Sequence, residues 1–203
     1  MRRAAFALLC AAAAGQVIDF DSGGLHYKTL TRSGVTIMYA VLPAHVRKWA
    51  VLQVSVSNGS QKPCTIAPAD FSFQNPNGAV VTATDADAVV SSLLHRAGRG
   101  DVIHLVTAYE AAVYGNTRLR TNNGYEARRR DALAEVSSAK IKAAAAASAL
   151  ALVSTKLAPG ASTDGAIFFE NEGKPLGPGK LLVHAAAETF EFNNDQPPPS
   201  KSE

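Results

Sequence analysis

Two kinds of residue pattern alternate along this chain. Short segments with strand-like alternation occupy roughly residues 25–84 and 164–192, and about seventy residues with helical spacing and many alanines separate them. A connection of that length is too long for a simple loop between strands, so we expect it to fold as an insertion. Segments of this kind on a rigid framework commonly carry function. The chain is therefore predicted to be mainly β with an α insertion (α+β).

The strand-like segments predict about eight short strands separated by turn residues. The turn at residues 31–34 has the composition of a hairpin, and Asn75–Gly78 is a dense turn signal. Phe71 and Phe73 lie on one face of their predicted strand. The strand at residues 50–57 would bury its even-numbered residues and turn three polar side chains to water: Gln53, Ser55 and Ser57. The predicted strands are residues 25–30, 35–42, 50–57, 70–74, 79–83, 166–169, 181–185 and 189–192.

Several of these segments resemble immunoglobulin-like domains of exported bacterial proteins. Residues 54–58 (VSVSN), Pro63, residues 70–73 (DFSF) and Asn77-Gly78 resemble the middle of such domains. Residues 157–160 (LAPG), followed by residues 165–170 (GAIFFE), resemble their closing pair of strands. In this interpretation Pro159-Gly160 turns the chain, Gly165 starts a strand, and Phe168 or Phe169 fills the core.

The resemblance covers about half of the chain and implies a β-sandwich of immunoglobulin-like type. Many such domains are uncharacterised, and others act as adhesion or assembly modules. The long insertion departs from the simple domains, so their loop functions are not transferred. We therefore expect an immunoglobulin-like β-sandwich interrupted by a three-helix insertion. The predicted segments are a signal peptide at 1–15, the first sandwich half at 16–84, the insertion at 85–153, the second half at 154–192, and a disordered tail at 193–203.

The first fifteen residues predict an export signal. Arg2 and Arg3 precede an apolar run at residues 4–14 that ends in small residues. This run is too short to span a bilayer as a mature helix. Cleavage near Gly15 is favoured over lipid attachment at Cys10, because Leu8-Leu9 lacks the small residue preferred before a lipidated cysteine. The mature protein is expected to be periplasmic or secreted, without a transmembrane segment.

Loss of that peptide changes the charge and the cysteine content. The formal charge of +3 includes Arg2 and Arg3, so the mature chain carries about +1 and no nucleic-acid partner is implied. Cys64 is then the remaining cysteine and cannot form an intramolecular disulfide. It is predicted to be half-buried in a loop that enters a strand, in preference to a reactive or intermolecular thiol.

The insertion is predicted to contain three helices. Asp85 or Asp87 caps the first, which runs to about residue 97, and Asp101 caps a second that ends near residue 114. The third occupies residues 125–150 and carries a stripe that we expect to face the core. We expect the helices to cap one end of the sandwich. The stripe consists of Leu133, Ile141, Ala144, Ser148 and Leu152.

A cluster of arginine and tyrosine residues around the polar loop at 115–124 is the predicted binding surface. These residue types are frequent in interaction hot spots, because both offer a large contact area with a polar end. A solvated helix face is the competing interpretation. The ligand would be an envelope protein or a cell-surface polymer, an anionic polymer included. The candidate residues are Tyr114, Arg118, Arg120, Tyr125, Arg128 and Arg129.

Catalytic and metal-binding signatures are scarce. The five histidines have no metal-ligand spacing, and neither H-E-x-x-H nor C-x-x-C occurs. Asp85, Asp87 and Asp101 are explained better as helix caps than as calcium ligands. No cofactor is predicted. A non-enzymatic binding or assembly module is favoured, and an envelope hydrolase that uses His95 or His104 with Asp101 or Glu110 stays open.

Overall fold

The computed structural model describes residues 15–96 and 139–195, without the side chains of Ala44 and residues 139–142. The predicted site residues Tyr114, Arg118, Arg120, Tyr125, Arg128 and Arg129 lie outside this part, as do the second predicted helix and most of the third. The described residues form eleven strands in three antiparallel sheets, together with two α-helices and a short 3-10 helix at Pro68–Asp70. The prediction of a mainly β chain that also contains helices is confirmed.

The larger sheet contains five strands in the order β1-β2-β3-β4-β9. A two-residue turn at Ser33-Gly34 joins β2 to β3, and both residues have positive φ, as a type I′ hairpin turn requires. The alternation of residues 18–21 was overlooked as a strand signal, so β1 was not predicted. The bounds are β1 Ile18–Ser22, β2 Leu25–Arg32, β3 Val35–Val46, β4 Trp49–Asn58 and β9 Ser162–Glu170.

The second sheet contains four strands in the order β11-β10-β6-β7, and β5 pairs with β8 in a separate two-stranded sheet. The turn at Asn75 is confirmed by the bond from the Gly78 amide to the Asn75 carbonyl, 2.9 Å long. Strand β11 extends into the segment predicted as a disordered tail. The bounds are β5 Cys64–Ile66, β6 Phe71–Gln74, β7 Val80–Thr82, β8 Thr155–Leu157, β10 Gly179–Ala185 and β11 Glu188–Asn194.

An aromatic core lies between the five-stranded and the four-stranded sheet. Tyr39 of β3 meets Phe192 of β11 edge to face, with 5.1 Å between ring centroids. Phe73 of β6 and Phe169 of β9 lie 6.2 Å apart. These contacts join residues of both sheets in one buried cluster, so the two sheets pack face to face.

The other face of the five-stranded sheet is covered by the two helices, α1 (Ala86–Arg96) and α2 (Ala139–Leu150). Val89 and Leu93 of α1 belong to the same buried cluster as Trp49 of β4 and Phe168 of β9. The expectation that the helices cap one end of the sandwich is therefore wrong. They cover a sheet face, so the described part of the fold has three layers.

This third layer overturns part of the solvent exposure predicted for β4. Gln53 and Ser55 were expected to face water, but they are only 1% and 9% exposed. They lie on the same face as Trp49, which the helices cover, and only Ser57 is half-buried. Within the described structure neither polar atom of the Gln53 amide has a hydrogen-bond partner. Burial without a partner makes Gln53 an unfavourable residue for stability.

Helix α1 starts where the sequence predicts, but the buried surface of α2 differs from the predicted stripe. Asp85 caps α1 as predicted, because its Oδ1 accepts the Asp87 amide proton at 2.8 Å. Ser148 was placed on the buried stripe of α2 but is exposed. The side chains of Leu133 and Ile141 lie outside the described part, whereas Ala144 and Leu152 are buried. The helix is buried around most of its circumference, at Ala143, Ala144, Ala146, Ala147, Ala149 and Leu150.

The backbone just before α1 and just after α2 binds the outer edge of β9. The Thr84 amide donates to the Phe168 carbonyl at 2.7 Å, and the Leu152 amide donates to the Ala166 carbonyl at 3.0 Å. Gly165 lies inside β9, so the prediction that it starts a strand is wrong. A Cβ at Gly165 would lie 2.5 Å from both the amide nitrogen and Cα of Leu152. Glycine is required here because the backbone after α2 crosses β9 at close range.

Cys64 is more enclosed than predicted. It is the first residue of β5 and is 7% exposed, whereas the sequence suggested a half-buried loop position. Burial raises the pKa of its thiol. The thiolate is therefore disfavoured, which supports a packing role for this residue.

Candidate functional site

A cleft of about 690 Å³ lies where α1 approaches two loops of the sheet layers. One loop is the β3–β4 turn, and the other follows β9. Its volume falls in the range of small-molecule and cofactor sites. We call it the basic cleft, and its described lining residues are Arg47, Lys48, Ser92, His95, Arg96 and Glu172.

The β3–β4 turn supplies the first wall. Arg47 has a φ of 54°, which reverses the chain between Val46 and Trp49. Lys48 Nζ lies 2.8 Å from Glu170 Oε2 and 5.3 Å from the centre of the Trp49 ring. The ion pair and the ring contact hold the Lys48 ammonium beside the cleft.

The last turn of α1 supplies the second wall. Val89 and Leu93 are buried against the sheet, so the helix turns Ser92, His95 and Arg96 towards the cleft. The partial negative charge at the carbonyl end of a helix stabilises cationic side chains in its last turn. The position of His95 and Arg96 is therefore favourable even before a ligand binds.

The loop after β9 closes the third side and is braced by hydrogen bonds. The Asn171 amide donates to the Lys48 carbonyl at 2.8 Å, which ties this loop to the β3–β4 turn. The Asn171 side chain donates to the carbonyls of Lys174 and Pro175, at 3.1 and 2.7 Å. Glu172 pairs with Lys174 at 3.2 Å. Hydrogen bonds thus hold the β3–β4 turn and the loop after β9, which both carry lining residues, in fixed positions.

Positive charge dominates the lining of the cleft. Arg47, Lys48 and Arg96 are cationic, and Glu172 is the anionic residue among the described lining residues. No hydrogen bond of the described residues joins Ser92, His95 and Glu172 to one another, so they do not form a proton relay. The excess of cations over anions suits the described lining to holding an anion.

The sequence indicated one of these residues. His95 was a candidate only for the hydrolase alternative, together with His104, Asp101 and Glu110, which lie outside the described part. Arg47 and Lys48 are not among the predicted site residues, although two adjacent cations in the connection between two predicted strands are a visible signal. The sequence could not show that Arg47 and Lys48 lie close to the end of α1.

Other polar clusters in the described part have local explanations. His26 Nδ1 lies 2.8 Å from Asp21 Oδ1, and His184 Nδ1 lies 3.1 Å from the Thr189 hydroxyl, so both histidines have hydrogen-bond partners. Residues 15–96 and 139–195 contain no group of three or more His, Cys, Asp or Glu side chains that could hold a metal ion. Neither described helix is both long and apolar enough to cross a membrane.

Comparison with known proteins adds no relative. No protein family, curated protein or solved structure matches the chain. The functional proposals therefore rest on the residues and their geometry.

Proposed function

We propose that this chain is an exported, non-enzymatic binding module that holds an anionic ligand in the basic cleft. Its framework in this proposal is an immunoglobulin-like sandwich with a three-helix insertion at residues 85–153. The partner would be an envelope protein or a cell-surface polymer, as the sequence suggested.

The strand order supports the immunoglobulin-like framework. In immunoglobulin domains, strands A, B and E are neighbours in one sheet, and G, F, C and C′ are neighbours in the other. The orders β3-β4-β9 and β11-β10-β6-β7 follow the same sequence of neighbours. On this correspondence β1 and β2 extend the first sheet, and the insertion occupies the connection between strands C′ and E.

The convergence of cationic side chains from separate elements carries the binding proposal. Arg47 and Lys48 come from a sheet turn, whereas His95 and Arg96 come from a helix far along the chain. A cleft lined mainly by charges of one sign raises the local concentration of ions of the opposite sign. The predicted surface at Tyr114–Arg129 remains a second candidate within the same proposal.

Anion binding can be tested with dextran sulfate, using neutral dextran as the uncharged comparison. We expect binding of dextran sulfate that weakens with added salt, because exposed charges are screened. Arg47→Asn and Arg96→Gln should each weaken it about tenfold, the loss of one charge-assisted contact. Asparagine tolerates the positive φ of residue 47, and glutamine is a good helix former. Isothermal titration calorimetry gives the affinities.

Lys62→Gln is the matched control for this experiment. Lys62 is an exposed cation in the β4–β5 connection and does not line the cleft. It should leave the affinity unchanged. Equal binding by the wild type, both cleft variants and the control would rule out the basic cleft as the anion site.

Export is tested by the mass of the mature protein. Expression of residues 1–203 in a bacterial host with a periplasm should yield a periplasmic protein that begins near Gln16, as the small residues before it suggest. Intact-mass spectrometry of fractionated cells measures this. An uncleaved cytoplasmic chain would contradict export, and a lipid adduct on Cys10 would favour the anchored alternative.

The hydrolase alternative keeps one supporting observation, since Ser92, His95 and Glu172 line the same cleft. Without hydrogen bonds among them it is the weaker candidate. Ester or amide hydrolysis that disappears in His95→Gln, with dextran sulfate binding intact, would favour it over the binding module.

A further inference from the structure

We infer that the ligand of the basic cleft is a multivalent anion whose charged groups bridge its two cationic walls. This inference rests on the proposed anion binding and narrows the class of ligand. The walls are the β3–β4 turn, with Arg47 and Lys48, and the last turn of α1, with His95 and Arg96.

The size of the cleft supports a ligand with several groups. A cavity of about 690 Å³ accommodates a molecule of drug-like size, far larger than one phosphate or carboxylate. A single small anion would contact the cations of one wall and not those of the other. A chain of linked anionic groups reaches both.

The charges around each wall also disfavour tight binding of a single anion. Glu170 pairs with Lys48 on one wall, and the carbonyl end of α1 lies on the other. Glu172 adds a negative charge to the lining, although Lys174 pairs with it. Each wall alone is therefore only a moderate anion site, and affinity requires simultaneous contacts. Linking the groups makes the second contact intramolecular, which raises the affinity of the whole ligand.

Carboxylate and phosphate groups both fit this chemistry. The guanidinium groups of Arg47 and Arg96 can each donate two parallel hydrogen bonds to either group. The Ser92 hydroxyl, on the α1 wall, is a neutral donor available to both. The common feature is a repeat of anionic groups, as in polyphosphates and polyuronates.

Two matched series test the inference by calorimetry at constant ionic strength. One contains phosphate and tripolyphosphate, and the other contains galacturonate and trigalacturonate. In the series that matches the natural chemistry, the trimer should bind at least about tenfold more tightly than the monomer. Arg47→Asn and Arg96→Gln should each remove most of that gain, and Lys62→Gln should keep it. The melting temperature of each variant verifies that it is folded.

The outcomes separate this inference from the function on which it rests. Monomer and trimer of equal affinity, both weakened by the cleft substitutions, would overturn bridging and leave anion binding intact. A trimer gain that persists in Arg47→Asn or in Arg96→Gln would also overturn it, because one wall would then suffice. Failure of every anion, dextran sulfate included, would overturn the anion-binding function itself. A gain in only one series identifies the source as phosphate or carboxylate.

Discussion

Phe168→Ala is expected to lower the free energy of unfolding by about 3–5 kcal/mol, as much as Phe169→Ala. The two side chains are neighbours on β9 and point to opposite faces of the sheet. Phe169 is fully buried between the sheets, and Phe168 is 1% exposed beneath the helices. We expect the two substitutions to lower the free energy of unfolding equally, because both faces of this sheet are covered. Urea denaturation of the full chain measures them.

Leu182→Ala is the control for a strand residue on a less covered face. Leu182 lies on β10 between Ser72 and Glu191, and its side chain is only partly buried. Its loss should be well below that of Phe168→Ala, at about 1 kcal/mol, because it buries less apolar area. A Phe168→Ala loss no larger than the Leu182→Ala loss would contradict a helix layer packed on the sheet.

Gly165→Ala is expected to destabilise the protein by about 2–3 kcal/mol, although it adds a single methyl group. The new Cβ would meet backbone atoms of Leu152 at 2.5 Å, and backbone cannot move aside as a flexible side chain does. The chain after α2 must then shift away from β9, which weakens the bond between the Leu152 amide and the Ala166 carbonyl. Thermal unfolding shows the loss, and hydrogen exchange of the Leu152 amide should become faster.

Gly177→Ala provides the matched comparison. No atom lies within 4 Å of a Cβ at that position, and its φ is not in the left-handed region. The substitution should be neutral or slightly stabilising, because alanine reduces the freedom of the unfolded chain. Equal melting temperatures for the two variants would show that the contact between Leu152 and β9 is not tight.

The sequence predicted most of the strands, because alternation depends on neighbours along the chain, but it did not predict β1, β5 or β8. Phe71 and Phe73 share a buried face, and the Ser33-Gly34 turn lies where its composition indicated. Alternation also assigned Gln53 to the correct face of β4. It could not reveal that this face is covered, because the cover comes from residues far along the chain. The error at Gly165 has the same origin, since the segment that crosses it follows α2.

The candidate site was harder to predict for a related reason. Arg47 and Lys48 belong to a short charged turn of a kind common on solvated hairpins. His95 and Arg96 have the residue types that commonly end a helix. Each pair is unremarkable in its local context. Only the packing of Val89 and Leu93 against the sheet brings the pairs together around one cleft.

The hydrogen bonds that Thr84 and Leu152 form with β9 have a consequence for self-association. An exposed edge strand can pair with a strand of another molecule and so start aggregation. The bonds from Thr84 and Leu152 already use the carbonyls of Phe168 and Ala166 on the outer edge of β9. Thr84, just before α1, and Leu152, just after α2, therefore protect this edge of the sheet, and β9 cannot extend the sheet into a neighbouring molecule at these positions.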